Sequence, residues 1–250
     1  MNARAPSVFL AGMDLAWVCE KNPTAIAYGC LNAKGLTLTA VDEGLVGMQA
    51  VRDALVNKSG LRGVAIDAPL IIRNASGSRE CEKALARVYA SRKASCHPAN
   101  LCLYPDADSL RLARALQSAG FEHAGRVEKR WQIECYPHPA IIEIFGLNQR
   151  LQYKKGTVGE RRSGQQDFAR RLLSLSASLV LPLQIDVSCL HYFSASRIVH
   201  LRGRALKHNE DVLDAVICLY IAALYQLGVP SMLFGDTADG YIYVPQLPCV

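Results

Sequence analysis

The 250-residue chain has no CxxC pair, no internal repeat, no low-complexity linker and no uninterrupted apolar run of membrane-spanning length. The longest apolar stretch, Val212 to Leu227, is broken by Asp214 and two tyrosines, which argues against a transmembrane helix and any membrane partner. One arginine and a short apolar run precede Asp14, too little for a secretory leader, so a soluble, cytoplasmic protein is expected. Aromatic residues make up only 7%, and no aromatic-rich platform for stacking unpaired bases stands out. Lys155-Gly156-Thr157 has the wrong order for a Walker motif. Nine scattered cysteines do not form a disulfide framework, and the apolar settings of Cys30, Cys135 and Cys218 suit buried thiols in a reducing compartment. Cys96, His97 and Cys102 have metal-ligand spacing but no second Cys/His pair to complete a zinc site.

What is present is a globular composition, 50% hydrophobic and 20% charged, with a net charge of +6, a mild basic excess compatible with a phosphate-rich partner. Val8 to Ala11 reads as a buried strand delivering Asp14 to its carboxyl end, and Gly12 just before the acid lets another backbone approach. Thr24 to Leu31 and Leu36 to Val41, joined by a turn at Asn32 to Gly35, complete an antiparallel meander. Leu45 to Lys58 has helical periodicity and crosses over to a strand, Gly63 to Ile66, that ends at Asp67. A right-handed crossover sets that strand parallel to the first, so Asp14 and Asp67 are expected as neighbours.

Farther on, helices are expected over Arg79 to Lys93, with Arg79 on a solvated basic face, over Ser109 to Ala119, and over Ala140 to Phe145. A strand is expected over Val127 to Cys135, carrying Glu134. Gln149 to Gln165 reads as an irregular basic loop able to hold phosphate, and Asp167 to Leu181 as a helix. Asn209 to Leu227 is the clearest helix, with Asn209 as its cap and Glu210 and Asp211 in its first turn. Met232 to Phe234 and Tyr241 to Val244 suit a hairpin. One domain with a helical insertion at about 73–125 fits these elements.

Asp211 and Asp214 lie three apart, on nearly one face of the last long helix. Asp211 is explained by the helix dipole, whereas Asp214, deep in an apolar run, needs a cationic partner. Acids after two neighbouring strands and on a late helix are the ingredients of a site for two divalent ions that activates water for in-line attack on a phosphodiester.

Gly12-Met13-Asp14-Leu15-Ala16-Trp17, Ala65-Ile66-Asp67-Ala68-Pro69, Arg79 with Cys81-Glu82, Glu134 to Pro139, Lys154-Lys155-Gly156 and Asp211 to Ala215 together resemble the domain-of-unknown-function family 429, whose members are described as ribonuclease H-like nucleases. The resemblance runs from about Val8 to Pro245. It implies a ribonuclease H-like α/β fold with a mixed five-stranded sheet, order 3-2-1-4-5, and a Mg²⁺ or Mn²⁺ site at Asp14, Asp67, Asp211 and Asp214. On that expectation the protein hydrolyses phosphodiesters in DNA or RNA. Asp14 bridges two metals, Asp67 and Asp214 hold one each, and Asp211 or Glu134 completes a shell. His138 relays protons, and Arg79, Lys154, Lys155, Arg161 and Arg162 meet the substrate. The alternatives are a nucleotide-binding phosphotransferase built on a related sheet and a binding module that keeps the acids without turnover.

Overall fold

The computed structural model describes residues 7–17 and 20–247. β1 (Val8–Asp14), β2 (Thr24–Asn32) and β3 (Gly35–Leu45) form the antiparallel meander, with Leu10 opposite Gly29 and Leu31 opposite Leu36. α1 (Met48–Val56) carries the chain across one face to β4 (Leu61–Asp67), which runs parallel to β1. α2 (Glu80–Tyr89) and α3 (Asp108–Ser118) follow, then β5 (Glu122–His123), β6 (Trp131–Glu134) and α4 (Pro137–Phe145). After α5 (Val158–Ser174), β7 (Leu183–Ile185) and the short α6 (Ala195–Ile198) comes α7 (Gly203–Gln226). The hairpin of β8 (Ser231–Asp236) and β9 (Gly240–Pro245) ends the fold.

The main sheet is mixed, seven strands in the order β5-β6-β4-β1-β2-β3-β7. Its two edge strands, β5 and β7, are two and three residues long, too short to leave a periodic signal, which explains why a sheet of five strands is all that the sequence suggests. The central strands are apolar on both faces because both are covered. On one side Leu10, Ala25, Ala27 and Ala65 pack with α7 and with Phe168 and Leu172 of α5. On the other, Met13, Ile26, Val64 and Ile66 pack with Val51 and Leu55 of α1 and with Leu112 and Leu116 of α3. α7 is the middle of the first core, with every residue from Asn209 to Leu224 buried.

Several boundaries differ from the sequence reading, each for a local reason. α7 starts at Gly203, six residues before Asn209, so Asn209 is no cap. It is a buried mid-helix side chain that donates to Gln165 Oε1 and accepts from Arg197. Asp211 is therefore two turns into the helix rather than in its first turn, and the dipole does not account for it. α5 starts at Val158, not Asp167, because Thr157 and Glu160 form a reciprocal cap, each side chain bonded to the other's backbone N–H. Half of the expected basic loop is thus helix, its Gly164 pressed so tightly on the preceding chain that a β-carbon would fall 1.9 Å from the Gln152 carbonyl oxygen. The helix expected from Arg79 begins one residue later, with Arg79 itself as the cap, and the strand expected from Val127 forms only at Trp131. The segment 73–125 holds α2 and α3 and ends in β5, which joins the sheet. No helix among the described residues is long and apolar enough to cross a membrane.

Candidate active site

Asp14 and Asp67 are direct partners in the parallel pairing of β1 and β4, so their Cα atoms stand side by side at the carboxyl edge of the sheet. The late helix reaches them because residue 12 is glycine. A β-carbon there would lie 1.8 Å from Leu219 N and 2.4 Å from the Ala215 carbonyl oxygen, so the backbone of α7 rests directly on β1. That contact, one to eight residues past Asp211 and Asp214 on the same helix, sets both carboxylates against the sheet edge. Asp14, Asp67 and Asp211 line one cavity of about 480 Å³, and Asp214 is buried beneath them.

Crowded acids in a dry site repel one another, and the protonation equilibria record it. Burial pushes Asp211 up to about 8, with the Asp14 carboxylate adding to the rise and Lys207 opposing it. Burial likewise raises Asp67 far above the usual carboxylate range, with Lys154 opposing and Asp14 and Asp214 reinforcing. Two lysines compensate part of this charge. Lys207 Nζ bonds Asp211 Oδ1 at 2.5 Å and Glu210 at 2.9 Å. Lys154 Nζ pairs with Asp214 Oδ2 at 2.9 Å, while Tyr153 Oη donates to Asp214 Oδ1 at 2.5 Å. Burial alone would lower Lys154, but Asp214 beside it outweighs that and holds it firmly charged. The cation that Asp214 needs is therefore built into the chain. Asp211 Oδ2 remains buried without a hydrogen-bond partner, facing the cavity wall that Asp14 shares.

Among the described residues no group of three or more His, Cys, Asp or Glu side chains stands ready to hold a metal ion. At Asp214, Tyr153 hydrogen-bonds Oδ1, and the Lys154 ammonium lies 2.9 Å from Oδ2 as an ion pair without hydrogen-bond alignment. Asp14, Asp67 and Asp211 retain oxygen donors of the kind that hard divalent cations prefer, and the orphaned Oδ2 of Asp211 calls for a proton or a cation. Cys96 and His97 line the same cavity but Cys102 is exposed, and the seven described cysteines are free thiols.

The basic residues divide into two groups. Lys154, Lys155 and Lys207 line the cavity with Arg150, which belongs to the basic loop expected over Gln149 to Gln165. Arg161 and Arg162 do not. They belong to α5, where Arg161 pairs with Glu210 at 3.2 Å and Arg162 Nε donates to the Leu201 carbonyl at 2.8 Å. Their helical placement, set by the Thr157 cap, removes them from the phosphate-binding loop expected of them.

Arg79 is also corrected: far from a solvated face, it is 4% exposed. Its guanidinium meets both oxygens of Glu134, at 2.9 and 2.6 Å, donates to Glu82 at 2.7 Å and to the Ile71 carbonyl at 2.9 Å. Glu134 accepts a further bond from Leu70 N at 2.9 Å. Both Arg79 and Glu134 are thereby spent on fixing the loop after Asp67, which makes them positioning residues for that acid rather than groups free to meet a ligand. The missed signal lies in Cys81-Glu82, since a glutamate at N3 marks Arg79 as the cap of α2. His138, at the start of α4, is buried with Nδ1 lacking a partner. Burial first, then Lys154, Arg150 and Lys155, hold it neutral, well below the ordinary histidine value.

No curated protein and no solved structure matches the chain. A family model does match over residues 12–238, from the glycine under α7 to the turn of the last hairpin, and the chain accordingly belongs to the family described as "Protein of unknown function (DUF429)".

Proposed function

We propose that this protein is a divalent-metal-dependent phosphodiesterase acting on nucleic acid, of ribonuclease H-like type. The observation that carries the reading is the meeting of aspartates from β1, β4 and α7 at one sheet edge: Asp14, Asp67 and Asp211 line a cavity that Lys154, Lys155, Lys207 and Arg150 also line, and Asp214 is buried against Lys154. The strand succession β3-β2-β1-β4-β6, with β2 antiparallel to its neighbours, supports the ribonuclease H-like assignment.

In this reading Asp14, Asp67 and Asp211 would supply the oxygen donors for one Mg²⁺ or Mn²⁺, drawing together as it binds, since among the described residues no three such side chains are already arranged around an ion. When bound, that ion lowers the pKa of a water nucleophile and neutralises charge on the phosphoryl group. The chain itself supplies the rest. Lys154, held by its ion pair with Asp214, lines the cavity and would offset negative charge that grows on the phosphoryl oxygens. Lys207 neutralises Asp211 until a ligand replaces it. Glu134 and Arg79 hold the Ala68 to Ile71 turn so that Asp67 keeps its place.

The test is a thermal shift with Mn²⁺, paired with hydrolysis of bis-p-nitrophenyl phosphate and of mixed-sequence oligonucleotides. Wild type should gain stability with Mn²⁺ and no ATP, bind one ion per chain, and cleave. Asp14→Asn should do none of these. Stabilisation that requires ATP would favour a phosphotransferase, and neither response would leave a binding module.

A further inference from the structure

The cavity is lined by acids, Asp14, Asp67 and Asp211 among them, and also by Lys154, Arg150, Lys155 and His138. Lys154 is paired with Asp214, but Arg150 and Lys155 are not balanced in this way. Among the described residues no carboxylate pairs with Arg150 or Lys155, and Arg150 Nε is buried without any acceptor. The Arg150 backbone N–H donates to the Arg92 carbonyl at 2.9 Å, and its side chain lines the cavity with Nε unpartnered. His138 adds a second unpartnered group, Nδ1, on a side chain only 8% exposed. Its neighbours Tyr136 and Tyr153 pack against the ring edge-on, at centroid separations of 5.6 Å each, and fix its orientation.

A buried guanidinium nitrogen, a free ammonium and an unsatisfied imidazole nitrogen on one cavity's lining suit an oxyanion such as phosphate, whose several oxygens can accept from more than one direction at once. The cavity volume lies in the range of small-molecule sites and cannot take a duplex. Its rim includes Trp17, Pro23 and Pro69, flat apolar surfaces suited to a base or a sugar.

The geometry points to Arg150, Lys155 and His138 as a phosphate subsite that seats one unpaired, phosphate-bearing nucleotide beside the carboxylates, so that a strand enters by its end. The inference rests on the phosphodiesterase reading for its orientation to the carboxylates, but the anion site itself requires no metal. His138 then acts as a ligand to the phosphate through Nδ1 and not as a proton relay.

Isothermal titration in EDTA with inorganic phosphate, 5′-AMP and adenosine tests it, using wild type, Arg150→Gln, Arg150→Gln with Lys155→Gln, and Asp14→Asn. Wild type should bind phosphate and 5′-AMP, with adenosine at least ~10-fold weaker, and the double variant should lose at least ~10-fold for both anions at an unchanged melting temperature. Asp14→Asn should bind them as well or better, because a repelling carboxylate is gone. No binding of either anion by wild type, adenosine as tight as 5′-AMP, or equal affinity in the double variant would overturn the subsite. If Arg150-dependent binding is seen while Mn²⁺-dependent hydrolysis is absent, the phosphodiesterase reading fails and the nucleotide site stands.

Discussion

Two clusters of buried charge share the walls of one cavity, and they are built on opposite plans. Around Arg79 each partner is matched: both Glu134 oxygens accept from the guanidinium, Leu70 N–H closes the shell, and Glu82 takes the remaining side. Around Asp14 four carboxylates face two lysines, one oxygen of Asp211 has no partner, and Asp67 and Asp211 resist ionisation. The first arrangement is complete without a ligand and holds the fold. The second is incomplete, stored repulsion that a cation or proton must relieve. Satisfaction of buried polar groups, rather than their charge, separates the structural cluster from the one that awaits chemistry.

The largest expected effect breaks the matched cluster. Arg79→Met leaves Glu134 and Glu82 buried without a cation, and urea unfolding should show a loss of about 3–5 kcal/mol. A loss below about 1 kcal/mol would mean that the network contributes little. Next comes the contact that unites the incomplete cluster. Gly12→Ala forces the backbone of α7 off β1 and should cost about 1–3 kcal/mol while also abolishing the Mn²⁺ thermal shift, since Asp211 and Asp214 move with the helix.

The incomplete cluster should respond with the opposite sign. Asp211→Asn removes a crowded carboxylate and should leave the metal-free protein as stable or about 0.5–2 kcal/mol more stable, as measured by the same unfolding assay, while weakening Mn²⁺ binding. A clear destabilisation would assign Asp211 to the structural plan, held by Lys207. The smallest effect is a slope. His138 has its folded pKa below the ordinary 6.5, so above that value it contributes nothing, and as pH falls below it the unfolded chain takes up the proton first. Wild type should therefore lose stability from pH 6.5 to 5 more steeply than His138→Gln. Equal slopes would place His138 in a solvated setting.

How much of this was legible in the sequence follows from the range of each cause. The neighbouring strands ending in Asp14 and Asp67 were readable because a short meander and one crossover leave few topologies, and Gly12 announced a close backbone before its partner was known. Asp214 advertised a missing cation by sitting in an apolar run, yet nothing local named Lys154, sixty residues earlier, as that cation. Arg79 was misplaced because surface and buried arginines look alike in a helical pattern; Glu82 at N3 marked it as a cap, but its burial against Glu134, on a distant strand, left no local trace. Arg150 was legible only as one base of a basic loop among Arg161 and Arg162, and its lack of an acceptor at Nε is a property that no sequence displays. The long helix α7 was visible as a helix but not at its true start, because Asn209 offered a good cap that tertiary packing did not use.

The contact between Gly12 and Leu219 has a temporal meaning as well. Asp14 belongs to the first strand and Asp211 to the last long helix, almost the whole chain apart, and α7 packs on β1, β2, β3 and β4 together. During synthesis the meander and its crossover emerge long before the helix that covers them, so their inner face must wait, exposed or chaperoned, for the carboxyl-terminal quarter of the chain. The four aspartates come together only when that helix docks. A nascent or truncated chain that lacks α7 is consequently without the assembled cluster of aspartates.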